Sequence, residues 1–196
     1  MGLFKHSENR NAYAHINFQE GVIFSGKKDA RETYNGVSGV PTQLDTEVGE
    51  YNGEPTLQAK FKLEDKSAAD QSVILTFNAH SFRGGQLLGC LYRAVVEHPG
   101  ATVKLIAWKF EKGDRLGDGK IVDNDMSGVS VRVGNARIKP LYVDGAESLP
   151  EAPKKKIGKK TVLDMEPVEK AIDALIVQLQ ASLLGEVAPS DDDIPF

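Results

Sequence analysis

The sequence predicts a mainly β protein: a small, partly open barrel with one helix among its strands, then a C-terminal amphipathic helix and an acidic tail. Three observations predict it. Seven segments alternate, or run apolar, in the manner of strands. A single stretch of helical period interrupts them, at Phe82–His98. After Val143 the composition changes to proline and lysine, and a second helical stripe follows.

The strand segments are Tyr13–Phe24, Val37–Tyr51, Thr56–Leu63, Ser72–Ala79, Ala101–Phe110, Val129–Val133 and Arg137–Val143. Asn52-Gly53 suits a type I′ turn, because both residues tolerate positive φ, so Leu44–Tyr51 and Glu54–Leu63 read as a hairpin. Pro41 marks the first arm as an edge or bent strand. In the helix, Leu87, Leu88, Leu91, Tyr92, Val95 and Val96 recur at spacings of three and four, with Ser81 as N-cap and Pro99-Gly100 as the stop. Gly84, Gly85 and Gly89 weaken its propensity. Strands, one helix, then further strands is the order of a barrel of about five strands with a helix between the third and fourth, the OB-fold arrangement. A β-sandwich is the competing architecture.

The expected organisation is an OB-fold-like body over residues 1–145, a basic linker over 146–163, an amphipathic helix over 164–185 and an acidic tail over 186–196. The linker carries Pro150, Pro153 and the lysine run of residues 154–160. In the helix, Pro167 suits the first turn, Gly185 the end, and Val168, Ile172, Leu175, Ile176, Leu179 and Leu183 form one stripe. That stripe needs burial, either on the body or against a second copy in a homodimer.

Composition narrows the class. The chain has 196 residues, 27% of them charged, with no apolar run long enough to cross a membrane as a helix. Its opening residues lack the apolar core of a signal peptide, and His6 breaks the myristoylation pattern. Cys90 is the only cysteine, so an internal disulfide or a cysteine-based zinc site is excluded. A cytoplasmic location is expected, with no cofactor.

Charge is divided unevenly. Residues 164–196 hold eight acids against Lys170 alone, a net −7, which leaves +3 on residues 1–163 of a chain whose total is −4. A polyanion would therefore meet the body rather than the tail. The tail ends in Asp191-Asp192-Asp193-Ile194-Pro195-Phe196. Phe196 offers a ring and an α-carboxylate on one residue, the combination that a partner captures with an apolar pocket and a cation. Pro195 reduces the freedom lost on binding, and the aspartates steer the tip towards basic surfaces.

Those six residues resemble the tip of bacterial single-stranded DNA-binding proteins. The resemblance implies a tip that binds exonucleases, helicases and polymerase accessory subunits, and an OB-fold that holds single-stranded DNA. It does not extend to the body. The long Gly/Gln/Pro-rich linker of that family is replaced here by the lysine run and the second helix. The combination looks like a phage-encoded single-stranded DNA-binding protein with a host-type tip, working in the host cytoplasm.

Single strands are held by cations that track phosphates and by aromatics that stack on bases. Candidates for the first task are Lys27, Lys28, Lys60, Lys62, Lys104, Arg115, Arg132, Arg137 and Lys139, and for the second Tyr34, Trp108 and Phe110. Lys60 and Lys62 share one face of their strand, as do Lys104, Trp108 and Phe110. Taken singly, each cation also suits a solvated surface, and Trp108 a core.

Catalytic chemistry is not visible. His6, His15, His80 and His98 show no ligand spacing, and no Walker loop is present. Asp123–Gly128 opens like a calcium loop, but Gly134 stands where the bidentate glutamate belongs. The expected function is non-enzymatic, sequence-independent coating of single-stranded DNA in replication, recombination or repair, with the tip recruiting partners. Its rivals are an adaptor or inhibitor that occupies host partners through the tip without binding DNA, and a nuclease.

Overall fold

The computed structural model describes residues 11–26, 30–51, 54–65, 71–146, 148–157 and 160–185. The strands are β1 (Asn11–Asn17), β2 (Val22–Ser25), β3 (Glu32–Tyr34), β4 (Gly36–Tyr51), β5 (Glu54–Glu64), β6 (Ser72–Asn78), β7 (Val103–Phe110), β8 (Met126–Val133), β9 (Ala136–Arg137), β10 (Lys154–Ile157) and β11 (Lys160–Leu163). The helices are α1 (Phe82–Glu97) and α2 (Glu166–Leu184). Nine strands form one sheet in the order β3-β2-β1-β6-β5-β4-β7-β8-β9. Among the described strands only β1 and β6 run parallel.

The protein is mainly β, as the sequence predicts, but the sheet is larger than five strands and does not close into a barrel. Three additional strands, β1 to β3, come from the N-terminal region, and β9 follows β8. Tyr13–Phe24, read as one strand, is two. Asn17 turns the chain: its Oδ1 accepts from the backbone N–H of Gln19 at 3.0 Å and of Glu20 at 3.1 Å. Gly21 completes the turn at φ 63°.

At the centre, the 16-residue β4 pairs with β7 over Gly36–Gly39 and with β5 over Val40–Tyr51. The register shifts between Pro41 and Gln43, because proline has no N–H to give the ladder. That bulge is the bend expected from Pro41. The hairpin of β4 and β5 also matches expectation, while Asn52-Gly53 lies outside the described residues.

One face of the sheet and both helices enclose the core, with Phe61, Leu75, Leu88, Leu105, Ile172 and Leu175 among its fully buried members. The alternation of β5 explains its part: Ala59, Phe61 and Leu63 point in, Lys60 and Lys62 out. The three glycines that weaken α1 are what let it pack. A Cβ on Gly84 would stand 2.0 Å from the Asn78 carbonyl oxygen, and one on Gly85 2.8 Å from Ile172 Cδ1 of α2. The Ser81 hydroxyl caps the helix by accepting from Gly84 N–H at 2.9 Å.

The apolar stripe of α2 is committed to its own body: Val168, Ile172, Leu175 and Leu179 are fully buried in the common core. His80 Nε2 and Asp173 Oδ1 (2.8 Å) and the Gln180 amide on the Leu44 carbonyl oxygen (3.0 Å) fasten it further. Two expectations are corrected after β8. Of Arg137–Val143 only Arg137 is in a strand, the two-residue β9, and a 3-10 turn begins at Val143, since Pro140 stops the ladder. The basic linker contains a hairpin, β10 paired with β11. Neither described helix is long and apolar enough to cross a membrane.

Candidate nucleic-acid interface

The turn at residues 18–21 is drawn across the sheet onto β7 and β8. Ser127 Oγ donates to the Phe18 carbonyl oxygen at 2.7 Å, and the Arg83 guanidinium donates to the same carbonyl and to Ser127 Oγ at 3.1 Å. Gly21 fits because a Cβ there would meet the Trp108 carbonyl oxygen at 2.3 Å. Phe18, Arg83 and Ser127 thus form a waist between two clefts, both of which they line.

The first cleft, about 810 Å³, lies over the outer face of β1, β5 and β6. Register places its floor: His15 opposite Phe24 on β2 and Thr76 on β6, and Gln58 of β5 opposite Asn78. His15 Nδ1 and Thr76 Oγ1 share a hydrogen bond, and partial burial of the imidazole holds its pKa below the ordinary histidine value. Arg31 lies 3.6 Å from the Phe24 ring centroid and pairs with Glu20 at 2.9 Å. Asn78 Oδ1 is buried with no hydrogen-bond partner. Phe82 and Arg83 from the first turn of α1 and Lys109, Met126 and Asp125 from the β7–β8 arm close the sides.

The second cleft, about 490 Å³, runs between β8 and α1 and brings together Trp108, Arg137 and Lys139 with Arg83 and Phe18. Trp108 stands opposite Gly128, and its ring centroid is 5.6 Å from that of Phe110. Cys90 lines the same cleft. Burial pushes its thiol up to about 11, with Arg137 and Arg93 acting weakly the other way.

Beside this cleft, the outer face of β7, β8 and β9 carries a row that register alone creates. Lys104 is opposite Arg132, and Arg132 is opposite Arg137. All three are exposed, and no described carboxylate lies within ion-pair distance of them.

Of the residues singled out from sequence, Trp108, Arg137 and Lys139 line the second cleft, Phe110 lies beside Trp108, and Lys104 and Arg132 stand in register with Arg137. Lys60 and Lys62 lie apart from that row, separated from it by β4, whose outward Asp45 and Glu47 face Lys60 and Gln58. Lys60 pairs with Glu47 at 2.6 Å and Lys62 with Glu64 at 2.9 Å, so their charge is largely compensated. Lys60 stands opposite Thr76, which lines the first cleft. Tyr34 sits on β3, its hydroxyl donating to Glu32 Oε2 at 2.7 Å with Ser25 Oγ at 3.2 Å, a structural position. Arg115 is exposed on the β7–β8 arm, bridged to Ile121. Lys27, Lys28 and the tip Asp191, Asp192, Asp193, Ile194, Pro195 and Phe196 lie outside the described residues.

Sequence reasoning missed His15, Phe18, Phe24, Asn78, Arg83 and Lys109. The one available signal was Arg83, a cation two residues after a helix N-cap. Among the described residues no group of His, Cys, Asp and Glu is placed to hold a metal ion. No protein-family model, curated protein or solved structure matches this chain.

Proposed function

We propose that the protein binds single-stranded DNA without sequence preference, coats it during replication, recombination or repair without catalysis, and recruits partner proteins through Asp191–Phe196. The carrying observation is the pair of clefts sharing Phe18, Arg83 and Ser127. Between them the two clefts present cations at Lys139, Arg137 and Arg83, and aromatic side chains at Trp108, Phe18, Phe82 and Phe24, while Lys109 is paired with Glu111 at 3.1 Å. Alternating cations and rings are what a single strand requires, because phosphates repeat along it and every base has a face to stack. The side-chain amides of Gln58 and Asn17, which line the first cleft, add hydrogen-bonding capacity for base edges.

The OB-fold reading belongs to the same proposal. The five central strands β4 to β8 have the helix between their third and fourth members, and the long β4 is shared by β5 and β7. The first cleft covers the second and third of these strands beside the arm that joins the fourth and fifth, the region where OB-folds take oligonucleotides. On this reading β1, β2 and β3 are additions that stand where the barrel would close. The resemblance of Asp191–Phe196 to the bacterial tip supports recruitment of exonucleases, helicases or polymerase accessory subunits.

The test is an anisotropy titration of fluorescent oligo(dT) with the full chain and with residues 1–185, at two salt concentrations. Binding by both, falling steeply with salt, is expected. Absence of binding at micromolar protein would leave the adaptor role.

A further inference from the structure

The lysine run read as a linker is an exposed β-hairpin. Register pairs Lys154 with Leu163, Lys155 with Val162, Lys156 with Thr161 and Ile157 with Lys160. Side chains alternate, so Lys154 and Lys156 point to one face, and Lys155 and Lys160 to the other. These four lysines and all of β11 are exposed. Among the described residues the one carboxylate within ion-pair distance of them is Asp164, whose Oδ2 is 3.9 Å from Lys155 Nζ.

Such an arrangement works against its own stability. A two-stranded hairpin is marginal in water, and like charges at two-residue spacing, about 7 Å apart, repel within the Debye length. Protection of an edge from aggregation accounts for a lysine or two, not for cations on both faces. A polyanion laid against the hairpin removes the repulsion and releases its own counterions. Val162, 37% exposed, and Leu163, 54% exposed, add apolar surface beside the lysine stems.

We propose that β10–β11 is a second phosphate-binding arm, gripping the backbone of a single strand beyond the part held in the clefts. This rests on the DNA-binding reading above. The experiment uses the full chain, oligo(dT) of about 8 and about 40 nucleotides, and two variants. One replaces Lys154, Lys155, Lys156 and Lys160 with glutamine; the other replaces them with arginine.

The glutamine variant should bind the long oligonucleotide at least about tenfold more weakly at low salt. The slope of log affinity against log salt should fall by about 2 to 3, three or four phosphate contacts at about 0.7 each. The short oligonucleotide should bind as before, and the arginine variant should match the native chain on both. Unchanged affinity and slope on the long strand would overturn the arm. So would tighter binding, which would mean that the lysines hold the chain's own acidic segment instead. A native chain that binds neither oligonucleotide overturns the DNA-binding reading and the arm with it, whereas loss confined to the long strand upholds both.

Discussion

Trp108 rests on Gly128: a methyl group built on that glycine would stand 2.9 Å from Cζ2 of the indole. The pair is cross-strand, so the glycine is the floor that sets the height of the only tryptophan above the β7–β8 surface. If that ring stacks on bases, oligo(dT) should quench its fluorescence. Trp108→Ala should weaken binding by about 1–3 kcal/mol, roughly five- to 150-fold. Gly128→Ala should displace the ring and give an intermediate loss, with a shifted emission maximum in the free protein. Unchanged emission on saturation with DNA would count against stacking.

Cations without carboxylate partners should contribute more than compensated ones. Arg132→Gln and Arg137→Gln should each flatten the salt dependence by about 0.7 in log–log slope. Lys62→Gln should change it little, because Glu64 already neutralises that lysine. Equal effects at Arg132 and Lys62 would show that the exposed row is not a phosphate track.

His15 links acidity to stability. Its folded pKa is lowered below the ordinary value of about 6.5 by partial burial, so the unfolded chain takes up the proton first as pH falls. The native state is therefore fully favoured above about pH 6.5 and loses this contribution as pH drops below it. The loss levels off once pH passes below the folded pKa. Urea melts of native and His15→Gln protein between pH 7 and 5 should show a shallower decline for the variant. Parallel curves would remove His15 as the cause.

Cys90 should be a slow thiol. A pKa near 11 instead of 9.0 leaves about a hundredfold less thiolate at pH 8, and Sγ also donates to the Ile138 carbonyl oxygen at 3.5 Å. Reaction with a disulfide reagent should be slow in the native protein and become rapid in denaturant. Fast native labelling would place the thiol in a different environment.

Helix α2 should hold the body together. Leu175 is fully buried between α2 and the core, so Leu175→Ala should cost about 2–5 kcal/mol in chemical denaturation. The exposed Val177→Ala on the same helix should cost much less. Similar costs at both would mean that the stripe is not packed in solution.

The sequence by itself determined the local elements, because period and punctuation are local. Alternation located β5, β6 and β7, the stripe and Ser81 located α1, Pro41 located the bend in β4, and Gly185 ended α2. Which residues meet was decided only by the tertiary structure, since strand order and register join residues far apart in the chain. No local pattern brings Arg83 to Phe18 and Ser127, sets Lys104, Arg132 and Arg137 in one row, or sets Glu47 against Lys60. The lysine run misled for the same reason: its hairpin pairs through backbone groups, and its exposed polar side chains carry no apolar period by which a strand is recognised.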